Sequence, residues 1–197
     1  MTTTRIRRER HWLAVGAGLL AVGLAAALAF TFAPGAGADH APIHAVPLTT
    51  AEHNEFTDNV AVQVRDKPGG RPTTVNNLHD ASNIAVGEFT VQPGVWFPWH
   101  THPGTGLVAV AQGDLVFIYA DDCVERRYNE GEAFVDPGVV HTAYNPSDTD
   151  VTVVIATFLG VPEGAALATP VDAAEAEALN EACGAQAPVP LAAAHDH

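Results

Sequence analysis

From Ile84 to Phe158 the chain reads as a succession of short strands broken by turn signals, and this constrains its fold more than any other feature. The segments are Ile84–Val91, Trp96–His102, Gly106–Ala111, Asp114–Tyr119, Val124–Tyr128, Ala133–Val135, His141–Asn145 and Val151–Phe158. The breaks hold Pro93-Gly94, Pro103-Gly104, Gly113, Asn129-Glu130-Gly131, Pro137-Gly138 and Asn145-Pro146. Many short strands with regular breaks predict an all-β sandwich or barrel of two packed sheets. Upstream, Val60–Val64 alternates and reads as a further strand, whereas Asp66–Pro72 is turn and loop. Residues 39–55 are polar with scattered Pro and His and read as an extended arm.

After Gly160 the pattern changes. Thr169-Pro170 suits an N-cap and first turn, Val171–Ala182 is rich in Ala and Glu, and Gly184 can end a helix. Such a helix would carry Cys183 back over the barrel. There is no internal repeat. The chain thus divides into a leader (1–38), an arm and first strand (39–83), a barrel (84–160) and a C-terminal helix with its tail (161–197).

The leader reads as a targeting segment. Arg5, Arg7, Arg8 and Arg10 precede an uncharged stretch from Trp12 to Phe32, and Ala36-Gly37-Ala38 fits a cleavage site that would leave Asp39 at the N-terminus. The same apolar stretch, residues 12–32, is long enough to anchor the chain across a hydrocarbon layer of ~30 Å. The expectation is therefore a secreted or extracytoplasmic domain, or one tethered to the membrane through this segment alone.

Removing four arginines and Glu9 with the leader leaves five basic and 22 acidic residues, net −17. Nucleic acid is excluded as a partner, because phosphate binding needs clustered Lys and Arg. Cys123 and Cys183 are the only cysteines, and an even count in an exported chain predicts one disulfide.

Two further segments carry chemistry: Gly94-Val-Trp-Phe-Pro-Trp-His100-Thr-His102 and Gly131-Glu-Ala-Phe-Val-Asp-Pro137-Gly138-Val-Val-His141-Thr-Ala-Tyr-Asn145. Residues two apart in a strand share a face, so His100 and His102 project together. His141, at the start of a strand after a Pro-Gly turn, is placed to complete a site from an antiparallel neighbour. Three imidazoles suit a divalent transition metal, Fe, Zn, Cu, Ni or Mn. The remaining histidines lie in tails or polar stretches. Trp96, Gln112, Phe117 and Tyr119 are candidate pocket residues, the aromatics as surfaces on which an organic substrate could stack and Gln112, like Glu88 or Glu132, as an oxygen near the metal. For the aromatics a plain core role is the alternative, and Asn145 reads as a turn or hydrogen-bonding residue.

These segments resemble the two motifs of the cupins. The first motif runs Gly, five residues, His-x-His, three or four residues, Glu, six residues, Gly; Gly94, His100, His102 and Gly113 fall in register. The second ends Pro-x-Gly, two residues, His, three residues, Asn; Gly131, Pro137, Gly138, His141 and Asn145 match, with Pro and Gly adjacent. The resemblance spans roughly residues 84–158 and implies a double-stranded β-helix, or jelly-roll, barrel. It departs at the glutamate, whose place falls on Gly106 or Leu107, neither of which binds metal. What the resemblance then implies is a three-histidine centre, as in members of the family that act as oxygenases, working on a small organic molecule. A non-catalytic module holding a metal or small ligand is the alternative. The resemblance leaves a homodimer open, and no sequence feature marks an interface.

Overall fold

Along Thr152–Leu159 (β12) side chains alternate, with Thr152, Val154, Ala156 and Phe158 buried and the residues between them half-exposed. This two-residue period buries one face of a sheet and wets the other. β12 lies at the centre of the first sheet, antiparallel to Asn83–Val91 (β5) on one side and Thr105–Gln112 (β7) on the other. The computed structural model describes residues 41–48, 54–162 and 165–190. The expected leader and the histidines at positions 40, 53, 195 and 197 lie outside the described residues. No helix among the described residues is long and apolar enough to cross a membrane.

The first sheet is completed by Ile43–Pro47 (β1) and Asn54–Glu55 (β2), both on β5, and by Ala133–Asp136 (β10) on β7. The second sheet contains His100–Thr101 (β6), Asp114–Tyr119 (β8), Glu125–Asn129 (β9), His141–Tyr144 (β11) and Thr169–Pro170 (β13), in the order β13-β6-β11-β8-β9. Val62–Asp66 (β3) and Thr74–Leu78 (β4) form a separate antiparallel hairpin. One helix follows, Ala173–Cys183 (α1).

The two sheets close on Val108, Val110, Val154, Ala156 and Phe158 from the first and Leu115, Phe117, Tyr119 and Ala143 from the second. The other face of β8 carries Val116 and Ile118, which pack with Trp99 under Ala176, Leu179 and Ala187 of the C-terminal segment. Burial on both faces explains why five consecutive β8 residues, Leu115–Tyr119, are buried. Trp99 is fully buried, and its indole N–H donates to Asn180 Oδ1 at 2.9 Å, which gives the ring's polar edge a partner. Cys123 Sγ and Cys183 Sγ lie at bonding distance, 2.01 Å, and join the turn after β8 to the end of α1.

Several expectations are corrected. Within the expected extended arm, residues 43–47 pair with β5 as an edge strand; of these only Ile43 is buried, so the segment shows no apolar alternation. The segment Trp96–His102 is continuous strand only at His100–Thr101, with an isolated bridge from Trp96 to Tyr144. Pro98 cannot donate to a ladder and interrupts it. Thr169–Pro170 pairs with β6 instead of opening the helix. The N-cap is Asp172, whose carboxylate accepts from Glu175 N–H, and Gly184 ends the helix at φ 65°.

Candidate metal centre

His100 and His141 face each other as Cα partners across β6 and β11. His102 follows β6, and its backbone N–H donates to Gly138 O at 3.2 Å. Gly138 adopts φ 81°, and a Cβ there would stand 2.7 Å from both His102 O and Gly104 O. The glycine therefore lets the turn before His141 press against the chain after His102, so that the two motifs meet. The three rings converge, with centroids 4.8 Å apart for His100–His102, 4.2 Å for His100–His141 and 5.2 Å for His102–His141. One ligand atom from each lies within 4.8 Å of the others.

The Nδ1 atoms decide which nitrogens face inward. His100 Nδ1 stands 2.7 Å from Pro98 O, His141 Nδ1 stands 2.8 Å from Val139 O, and His102 Nδ1 meets Leu167 O. A carbonyl oxygen only accepts, so each Nδ1 carries the hydrogen and each neutral ring presents an Nε2 lone pair. Metal-binding histidines characteristically donate their other N–H to a carbonyl or carboxylate in this way. The donor set thus fits a divalent transition metal held by His100, His102 and His141.

A fourth group stands among them. Asp136, at the end of β10, is 3% exposed. Its Oδ2 lies 3.1 Å from His102 Nε2 and 3.2 Å from His141 Nε2, and its Oδ1 accepts the Gly138 N–H at 2.8 Å. The sequence reading missed this residue. The available signal was an Asp directly before the Pro-Gly turn of the second motif, but nothing local shows that β10 aims it at the histidines.

The remaining sequence candidates separate. Phe117 stacks on His141, with centroids 4.6 Å apart and planes 18° from parallel, and lines the metal cavity. Tyr119 is instead covered by the Arg71 guanidinium, 4.3 Å from its ring centre, and borders a different cavity of about 200 Å³ under the β3–β4 hairpin. Trp96 stacks on Tyr144 at 4.0 Å, in the cluster between the second sheet and α1. Gln112 is exposed at the end of β7, where the register with β12 slips. Glu132 is also exposed and caps the turn at Asn129, while Asn145 is buried and bonds to Val91 O and Asp150 O.

The cavity beside the rings has a volume of about 60 Å³. Its wall is apolar (Phe89, Phe97, Val108, Phe134, Val154 and Phe158 among others) apart from the three histidines and Asp136.

This burial sets the protonation states. Desolvation pushes His100 well below the ordinary imidazole value, helped by the charges of His141 and His102. Desolvation also lowers His141, against the pull of Asp136. Burial alone would raise Asp136, but His141, His102 and the Gly138 N–H together bring it down to about 2.

The consequence for stability follows from proton linkage. Below pH ~6.5 the unfolded chain protonates imidazoles that the metal-free fold keeps neutral at His100 and His141, so the unfolded state binds more protons and stability falls with pH. Each ring that stays neutral contributes a slope of about 1.4 kcal/mol per pH unit. Asp136, depressed in the fold, adds stability that is present above pH ~3.9 and lost as the pH falls toward 2. Metal-free protein is therefore expected to melt at progressively lower temperature from pH 7 to 5; a melting temperature constant over that range would show that the rings are not buried neutral.

Residues 87–157 match the family model described as Cupin domain. Solved structures similar to this chain include the polyketide cyclase RemF from Streptomyces resistomycificus, 19% identical, with 45% of this chain and 60% of that one covered and a TM-score of 0.38. A cupin-like protein from Thermotoga maritima is 22% identical over 52% of this chain and 75% of that one, with a TM-score of 0.41. A cupin domain from Bordetella pertussis is 23% identical over 52% and 97%, with a TM-score of 0.34. The chain spans less than two thirds of the cyclase it matches. No match was found among curated proteins. Both histidine motifs lie in order on two facing sheets that bring them together, and the stretch that matches the Cupin domain family, residues 87–157, contains all three histidines.

Proposed function

We propose that this protein is an exported, metal-dependent cupin enzyme that carries out oxygenase-like chemistry on a small organic molecule. The observation that carries the reading is the convergence of three Nε2 atoms on the polar corner of an otherwise apolar cavity. A divalent ion held there supplies Lewis acidity and open coordination positions for substrate or dioxygen. The chain's own contribution is to orient and to exclude water. Backbone carbonyls hold each ring in one tautomer, Phe117 fixes the plane of His141, and the phenylalanine-rich wall keeps bulk solvent from the reacting atoms.

Cavity size narrows the substrate. An apolar cavity of ~150 Å³ is what benzene fills, whereas this one measures about 60 Å³. The space next to the histidines therefore suits the reacting end of a substrate, such as a small thiol or a diketone, with the rest of the molecule at the open mouth. Export is supported by the basic and apolar leader and by the Cys123–Cys183 pair, since disulfides persist in oxidising compartments.

A second reading, a non-catalytic module that holds a metal or a small ligand, is favoured by one feature of the same cavity. Among the described residues its wall offers no acid or base beyond the histidines and Asp136. One preparation separates the two. Protein recovered outside the cytoplasm, with its N-terminus sequenced, is loaded with Fe(II) and offered small thiols and diketones. Stoichiometric metal with substrate-dependent oxygen uptake, lost in His100→Ala, is the result expected of the enzyme. Stoichiometric metal without uptake on any substrate leaves the binding module.

A further inference from the structure

We infer that Asp136 is a fourth, oxygen ligand of the metal centre, supplied by β10 from directly across the strand position that lacks a metal-binding side chain at Gly106. This rests on the metal-centre reading above and deepens it.

The first argument is the pairing of lone pairs. With every Nδ1 hydrogen directed at a carbonyl, the Nε2 atoms of His102 and His141 are the ring positions left to accept, and the Asp136 carboxylate they face is an acceptor too. Acceptors held 3.1 and 3.2 Å apart, all in buried surroundings, repel unless a positive charge lies among them. One proton relieves one of these contacts. A cation bound by all the groups relieves both and engages His100 as well.

The second argument is spacing. Nitrogen and oxygen donors bound at roughly 2.0–2.2 Å to one ion stand about 2.8–3.6 Å from each other, from cis octahedral to tetrahedral arrangements. The two Asp136 distances fall in that interval. The second carboxylate oxygen is held by the Gly138 N–H, so the first is left aimed at the rings.

The third argument is register. Asp136 is the Cα partner of Gly106, and cross-strand partners share a face. A Cβ at Gly106 would stand 3.2 Å from Asp136 Cβ and 3.3 Å from the Phe158 ring. The glycine thus leaves open the space into which the aspartate side chain turns. A carboxylate missing from one strand is replaced by one from its neighbour. The centre then carries one negative ligand, which halves the uncompensated charge of a divalent ion and gives it a harder donor, suited to Fe, Mn or Zn.

The test uses Co(II) added to metal-free full-length protein, followed by affinity and by the visible ligand-field spectrum. Asp136→Asn preserves shape and an oxygen for the Gly138 N–H but removes the charge. Its Co(II) affinity is expected to fall at least about tenfold, with displaced absorption bands. Asp136→Gly combined with Gly106→Glu returns a carboxylate from the opposite strand and is expected to recover affinity, whether or not the Asn variant folds. Wild-type affinity and an unchanged spectrum in Asp136→Asn, or a double variant that folds yet binds no better than Asp136→Gly alone, would overturn the inference while leaving a three-histidine centre. Failure of the wild-type protein to take up Co(II) would overturn the metal centre itself.

Discussion

His141→Ala is expected to abolish stoichiometric metal uptake, with affinity for Zn(II) or Co(II) reduced by more than the ~100-fold that loss of a supporting partner costs a metal site. The ring is 2% exposed, is held by Val139 O and Phe117, and is the only histidine of the trio contributed by β11. Alanine leaves the two rings of the first motif, which come from one short stretch of chain. The fold should persist, because Val110, Val154, Phe158 and the remaining intersheet contacts are untouched. His79→Ala, at an exposed position, is the control and should bind as wild type. A competition titration against a chromophoric chelator gives the answer. Metal held equally well by the His141 variant would mean that the three rings do not share an ion.

Replacing Cys123 and Cys183 by serine is expected to lower stability by about 4 kcal/mol on the chain-entropy view of a cross-link closing some 60 residues. For a domain of this size that corresponds to a drop in melting temperature of roughly 8–16 °C. The linkage closes the chain from the turn after β8, through β9–β12 and β13, to the end of α1, so its loss frees most of the second half of the molecule in the unfolded state. Thermal melts of the oxidised protein, the reduced protein and the double variant should fall into two groups, with the last two together. Equal melting temperatures for all three, with the thiols of the reduced sample titrated as free, would contradict this account.

The parts of the architecture legible in sequence are those that depend on local periodicity. β5, β7, β8 and β12 announce themselves because each buries alternate or consecutive apolar residues, and the spacing of His100, His102 and His141 singles out the three rings although β6 itself ends at Thr101. What stayed hidden depends on pairing. β1 and β4 consist largely of polar or half-exposed residues and are strands because they have a partner, not because of their own pattern. Trp96 leaves the histidine face because Pro98 intervenes, and Thr169-Pro170 is drawn into a sheet edge before a helix can start there. Asp136 is the most instructive case. Its neighbours in the chain suggest a turn residue, and only the antiparallel register that sets it opposite Gly106 makes it part of the centre.

The hydrogen bond from His102 Nδ1 to Leu167 O has a consequence for how the working unit is delimited. The stretch matching the family ends at residue 157, ten positions short of that carbonyl. A minimal fragment cut to the family boundaries would keep every metal-binding side chain and still leave one imidazole free to rotate and exchange tautomers. The candidate metal centre is therefore larger than the recognisable motif: the C-terminal extension clamps one of its imidazoles, and trimming it is expected to weaken metal uptake without touching a single ligand side chain.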